Sequence, residues 1–250
     1  MEQRALAWTV VTWNLQGSKR TDLDRVAEVL AAESPDVVVL QEVRSSQADD
    51  LGTALGMSLT WSRKHNPFHP FLPSRAEGGA ILSPHGLRDP GHAVISDEGS
   101  LRSWRRRIAV WATVERADRS GYRVIGVHLS PHDDQRGMRL AEASRVATIA
   151  AEGGDSPPTI VAGDLNDHDD AEISAILPGV EHVTVGPTEP SHRPTQALDH
   201  VLLPADAHDV AVTVPGGGDR WAQLSDHLPV TVRFSLRWVQ GDWAPAGVVG

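Results

Sequence analysis

The sequence predicts a single α/β domain, and three observations carry that prediction. Strand-like runs of β-branched and aromatic residues alternate with segments of helical periodicity, with no internal repeat. The 250 residues are 40% hydrophobic, enough to bury a large core. No change of composition marks a linker, so one domain is expected over 1–250, with its core from about 5 to 236 and a C-terminal tail at 237–250.

The elements follow in order. Leu6 to Trp13 reads as a strand, ending in the turn Asn14-Leu15-Gln16-Gly17. Thr21 is the expected N-cap of a helix, with Leu23, Val26, Ala27 and Leu30 on one face until Ser34-Pro35 breaks the pattern. Asp36 to Leu40 is a buried strand running into Gln41-Glu42. A strand, helix, strand crossover of the usual kind places Asn14 and Glu42 at the ends of two strands of similar direction. Asn66 to Arg75, with Pro67, Pro70 and Pro73, reads as a surface loop. Gly79 to Ser83, Ile108 to Val114 and Tyr122 to Leu129 read as strands. Gln135 to Ala151 is a long helix through Met138, Leu140, Ala141, Val146, Ile149 and Ala150, returning the chain to the apolar run Thr159-Ile160-Val161-Ala162. Late strands are expected at Ala197–Leu203, Val210–Val214 and Leu228–Phe234.

Composition narrows the chemistry. The absence of cysteine excludes disulfides, thiolate metal sites and cysteine nucleophiles, so any metal is held by oxygen and nitrogen. A formal charge of −10 argues against strong nonspecific binding to nucleic acid, which depends on Lys and Arg neutralising phosphates. It leaves a nuclease open, because acids clustered around bound cations add to the total. Basic residues concentrate at Arg102, Arg105, Arg106 and Arg107. The N-terminus lacks a signal-peptide pattern, and the apolar runs fall far short of the roughly 20 residues that span a bilayer. The expectation is a cytoplasmic protein with no membrane-spanning segment, monomeric.

The most informative segment is Gly163-Asp164-Leu165-Asn166-Asp167. Extended backbone projects Asp164 and Asn166 to one face at the carboxyl end of a strand, where α/β sheets build active sites, and turns Asp167 away. Gly163 is expected to let a metal or phosphate approach the backbone. Ser225-Asp226-His227 sets an oxygen beside an imidazole at a strand start. Asp199, in Leu198-Asp199-His200, is a natural partner, because an Asp on the far nitrogen of a catalytic His fixes its tautomer. This set suggests metal-assisted attack on a phosphate ester.

Thr12-Trp13-Asn14, Gln41-Glu42-Val43, Gly78-Gly79-Ala80-Ile81-Leu82-Ser83, Val127-His128-Leu129, Gly163-Asp164-Leu165-Asn166, Leu198-Asp199-His200 and Ser225-Asp226-His227 occur in the order and approximate spacing of the endonuclease/exonuclease/phosphatase superfamily. The chain resembles that superfamily from Val10 to about Phe234. The resemblance implies a four-layer α/β sandwich, with two mixed β-sheets packed face to face, helices on the outside and a phosphoesterase site at one end. It implies Glu42 as principal ligand of Mg²⁺ (or Mn²⁺), with Asn14 and Asp226 contributing. Asp164 then orients or deprotonates the attacking water, and Asn166 stabilises the pentacovalent phosphorus. His227, held by Asp199, binds the phosphate or protonates the leaving oxygen, and His128 contacts phosphate or assists departure. Glu77 is a candidate partner of His128, with a charged loop residue as the alternative. Arg106 or Arg107 is a candidate phosphate contact; strand alternation lets only one face the site. Gln16-Gly17-Ser18 also resembles the toxin-nuclease branch related to deoxyribonuclease I.

The remaining histidines, His200 included, read as structural, without the spacing of a zinc centre. Trp8, Trp61, Trp111 and Trp238 read as packing residues, whereas Trp104 and Trp221 lie nearer the expected mouth. Gly216-Gly217-Gly218 is a loop and not a P-loop. Within the superfamily the fold does not select the substrate. A phosphodiesterase or nuclease cleaving DNA or RNA is the first expectation. An inositol-phosphate phosphatase or sphingomyelinase-like phosphoesterase is the alternative, and a catalytically inactive binding module is the alternative of another class.

Overall fold

Runs such as Val37-Val38-Val39-Leu40 are apolar at successive positions, so both faces of their strands must be covered. The computed structural model shows how; it describes residues 7–19, 21–65, 75–118, 120–152, 158–168, 171–183 and 185–236. Of the expected loop Asn66 to Arg75, residues 66–74 lie outside this range, as do the tail and Trp238.

One six-stranded sheet contains β1 (Ala7–Asn14), β2 (Val37–Arg44), β3 (Ser58–His65), β4 (Glu77–Ser83), β11 (Ala207–Thr213) and β12 (Val230–Leu236), in the order β11-β12-β1-β2-β4-β3. The other contains β5 (Arg88–Val94), β6 (Ile108–Glu115), β7 (Gly121–His128), β8 (Thr159–Asp164), β9 (Val180–His182) and β10 (Asp199–Pro204), in the order β5-β6-β7-β8-β10-β9. Each sheet is mixed. β1 runs parallel to β2, and β7 to β8, while their other neighbours are antiparallel.

Alternation along the strands distributes the core. Trp8, Val10 and Val39 point between the sheets, where they meet Val110, Val124, Ile160 and Val201 of the second sheet. Val11, Trp13, Val38 and Leu40 point outward beneath α1 (Leu23–Glu33) and α2 (Ser45–Leu55). On the far side, Ile125 and Val161 pack under α3 (Arg136–Ala151) and α4 (Ala171–Ile176), against Val146, Ile149 and Ile173. The layers are therefore helix, sheet, sheet, helix, the architecture expected of the sandwich. Each fully buried Val, Leu or Ile contributes about 1.5–3 kcal/mol. A last short helix, α5 (Asp219–Ala222), precedes β12.

Local details correct several expectations. Asp22, not Thr21, caps α1, its Oδ1 accepting from the Arg25 N–H at 3.2 Å. The Thr21 hydroxyl instead donates to Leu224 O at 3.1 Å, tying the start of α1 to the segment before β12. α2, β3, β5, α4, β9 and α5 have no counterpart in the sequence reading. In α2 only Ala48, Leu51 and Gly52 are buried, and β5 is a half-exposed edge strand containing Pro90. No helix among the described residues is long and apolar enough to cross a membrane.

Candidate active site

Register alone assembles half of the site. His128 ends β7 opposite Asp164, which ends β8, and Asp164 in turn pairs with Asp199 at the start of β10. Three chemically capable side chains thus stand in a row across one sheet edge. From the facing sheet, Asn14 ends β1, and its Nδ2 donates to Asp164 Oδ2 at 3.0 Å. The segment carrying Asp226 and His227 is fastened beside it. Ser225 Oγ donates to Asn14 O at 2.6 Å, and Trp13 Nε1 donates to His227 O at 2.9 Å. Ser191 braces the same segment, donating from Oγ to Ser225 O and from its backbone N–H to Asp226 O, both at 2.6 Å.

The expected Asp199–His227 pair is formed. His227 Nδ1 lies 2.8 Å from Asp199 Oδ2, both groups are buried, and Nε2 points toward Asp164 Oδ2 at 3.9 Å. Burial opposes the imidazolium, but the charges of Asp199 and then Asp164 outweigh it and push His227 up to about 10. Asp164 is pushed upward chiefly by burial, with Asp199 adding to the effect and His227 and the Asn14 hydrogen bond opposing it. A raised carboxylic acid beside a stabilised imidazolium is a suitable base and acid pair. His128 has the opposite character. Burial first, then the charges of Lys64 and Arg107, hold it well below the ordinary histidine value, so it is neutral.

Asn166 departs from the expected strand geometry. It follows β8 with φ 51°, in the left-handed region, and its backbone N–H donates to Asp164 Oδ1 at 3.0 Å. Its side-chain Nδ2 donates to Leu129 O at 3.0 Å, leaving one amide hydrogen for other partners. Gly163 also differs from expectation. A Cβ there would lie 1.9 Å from Val127 O, so the glycine admits the backbone of β7 and not a ligand.

Glu42 sits on a bulge where the β2–β4 register shifts between Leu40 and Val43, with φ 52°. The Gly17 N–H donates to its carbonyl at 2.7 Å, and a Cβ on Gly17 would lie 2.3 Å from the same oxygen. The bulge leaves the Glu42 carboxylate 24% exposed, 3.7 Å from Lys64 Nζ and 3.8 Å from His128 Nδ1. His128 therefore meets Glu42, where the sequence suggested Glu77. Glu77 begins β4, paired with Arg44 and His65; burial and then the Glu42 charge raise it to about 7.

The two arginines separate. Arg106 is turned away, its Nη1 donating to Arg63 O at 2.7 Å and also to Lys64 O. That geometry corrects its candidacy as a phosphate contact. Arg107, only 2% exposed, feels the charges of Glu142, Glu42 and Asp164 and faces the site. Trp221 is buried against Trp13, ring centroids 6.1 Å apart, which removes it from the mouth. Trp104 is 40% exposed beside His132.

Sequence reasoning missed three buried charges. Lys64 lies beside Glu42, and burial, then Arg107, lowers its ammonium to about 8. Glu142 accepts from the Ser130 N–H and hydroxyl at 2.9 and 2.7 Å, and Arg139 bridges Asp167 at 2.9 Å to His132 O at 2.7 Å. Together they hold the segments that follow His128 and Asp164. Arg139 and Glu142 lie on the apolar stripe of α3 with Ala143 and Val146, a detectable signal.

The donor set suits a hard divalent cation. Glu42, Asp226 and Asn14 offer oxygen, and Asp199 Oδ1 is buried without a hydrogen-bond partner. Among the described residues, Asp164, Asp199 and His227 also bring possible ligand atoms within 4.8 Å of one another.

The chain belongs to the Endonuclease/Exonuclease/phosphatase family, whose pattern it matches over residues 11–227. Members of this family are phosphoester hydrolases that use divalent metals. Among solved structures, a family member from Bacteroides thetaiotaomicron is 18% identical, with a TM-score of 0.74 over 94% of this chain and 100% of that one. A mannosyl-6-phosphatase of the same organism is 18% identical, with a TM-score of 0.72 over 92% of this chain and 100% of that one. Humanized D. rerio TDP2 is also 18% identical, with a TM-score of 0.69 over 92% of this chain and 99% of that one. No curated protein sequence matches the chain.

Proposed function

We propose that the protein hydrolyses phosphate esters by in-line attack of water with Mg²⁺ or Mn²⁺ as cofactor. The observation that carries this reading is the convergence of Asn14 and His227 from one sheet on the row His128, Asp164, Asp199 of the other. Glu42, Asn14 and Asp226 would hold the cation; when bound, it polarises a phosphoryl oxygen and neutralises developing charge. His227 is left out of this ligand set because its Nδ1 is fixed on Asp199, which directs Nε2 to donate to substrate.

Asp164 accepts the proton of the attacking water. Its oxygens are already oriented by Asn14 Nδ2 and the Asn166 N–H, so little reorganisation accompanies the transfer. His227 donates from Nε2 to a phosphoryl oxygen or the leaving oxygen, and Asp199 stabilises the imidazolium. The free Asn166 amide hydrogen and Arg107 bind equatorial oxygens, with neutral His128 packed beside them. Hydrolysis is tested on plasmid DNA, single strands, RNA, inositol phosphates and sphingomyelin with each metal. Turnover of at least one substrate, abolished by chelator, is expected. Chelator-resistant turnover, or none on any substrate, contradicts the reading.

A further inference from the structure

Lys64 and Arg107 are two cations within the same buried corner, with 7% of the Lys64 side chain and 2% of Arg107 exposed. Neither is satisfied. Lys64 Nζ approaches Glu42 Oε1 only to 3.7 Å, too long for a hydrogen bond. Arg107 Nε is buried without a partner, and its Nη1 reaches Trp104 O only at 3.5 Å. His128 beside them is neutral, with Nδ1 also buried and unpartnered. Glu42 offsets part of this charge, but buried cationic donors left unused are expensive unless a further anion completes them.

Resting on the hydrolase reading above, we propose that Lys64 and Arg107 form a cradle for a terminal phosphate oxygen, and that the substrate is a phosphomonoester. Among the described residues, Lys64 and His128 line a small pocket, with Gly78, Gly79, Ile108, Val110 and Val127 along its walls and Arg107 outside the lining. A bare oxygen fits so small a space more readily than an ester substituent. A monoester carries a charge of about −1.5 to −2 near neutral pH and three terminal oxygens, while a diester carries one charge and replaces one of those oxygens with an ester link. The second cation matches that additional charge.

The test combines steady-state kinetics of the full chain on p-nitrophenyl phosphate and bis(p-nitrophenyl) phosphate with calorimetric titration of inorganic phosphate, with and without Mg²⁺. Lys64→Met should lower kcat/KM on the monoester about 10- to 100-fold, the value of a charged hydrogen bond, and lower phosphate affinity in parallel. The diester should lose less than about threefold on the same scale, and Lys64→Arg should recover most monoester activity. If Lys64→Met does not fold, Lys64→Gln takes its place. Equal losses on both esters, or wild-type phosphate affinity in the Lys64 variant, overturn the cradle. A wild type that binds phosphate through Lys64 but hydrolyses neither ester overturns the hydrolase reading and supports the cradle.

Discussion

Asn14 and Asp164 belong to different sheets, and the 3.0 Å hydrogen bond from Asn14 Nδ2 to Asp164 Oδ2 joins them at the edge where β1 and β8 end. The candidate catalytic corner is thus a product of sheet packing, held by a contact between residues 150 positions apart. Aromatic packing of Trp8, Tyr122 and Phe234 also holds the sandwich together.

Asp164→Asn separates function from stability. The amide keeps only one of the two bonds that Asp164 accepts, from Asn14 Nδ2 or from the Asn166 N–H, and does not accept a proton from water, so kcat should fall about 10²- to 10⁴-fold. Replacing a buried, upward-shifted carboxylate should leave the melting temperature in chelator at pH 8 equal to wild type or higher. Retained turnover in this variant would remove Asp164 from the mechanism.

Asp199→Asn should lower activity strongly and move a titration. His227 is raised above its unfolded value, so its stabilisation is complete below about 6.5 and lost as pH rises through about 10. Without the Asp199 charge the imidazole should titrate at lower pH. Histidine NMR of the metal-free protein reads this directly; an unchanged His227 titration would show that Asp199 does not govern it.

Glu77→Gln is a prediction about stability. With its folded value raised from 4.5 to about 7, Glu77 makes the wild type lose stability as pH climbs from 4.5 to 7, because the unfolded chain ionises first. The amide should flatten that segment of the profile. Urea unfolding in chelator at pH 5 and pH 8 tests it, and equal slopes for both proteins would contradict it.

Gly17→Ala should displace the Glu42 bulge, since the new Cβ would meet Glu42 O at 2.3 Å. Cation affinity should fall more than global stability, as calorimetry and thermal unfolding would show together. Gly163→Ala is more severe. Its Cβ would meet backbone at 1.9 Å, and a loss of about 3 kcal/mol or more, or failure to fold, is expected.

Much of this was legible because strands end where motifs begin. The apolar runs before Asn14, His128 and Asp164 placed those residues at strand ends, whereas β2 runs past Glu42 to Arg44, and the adjacency of Asp226 and His227 paired Asp199 correctly. What failed depended on backbone departures. Asn166 leaves the strand in a left-handed conformation and Glu42 sits on a bulge, so alternation did not describe either side chain. Lys64 was hidden for a different reason. β3 is an edge strand whose Leu59, Thr60 and Trp61 are only partly buried, giving no alternation from which an inward lysine stands out.

Metal-assisted phosphoester hydrolysis at this corner can be measured directly. Initial rates on aryl phosphomonoester and phosphodiester are taken with Mg²⁺ or Mn²⁺, before and after chelation, for wild type and His227→Ala. Turnover is expected that chelator abolishes, that returns with added metal, and that falls at least about 10²-fold in the variant. Turnover indifferent to chelator, or undiminished in His227→Ala, would contradict it.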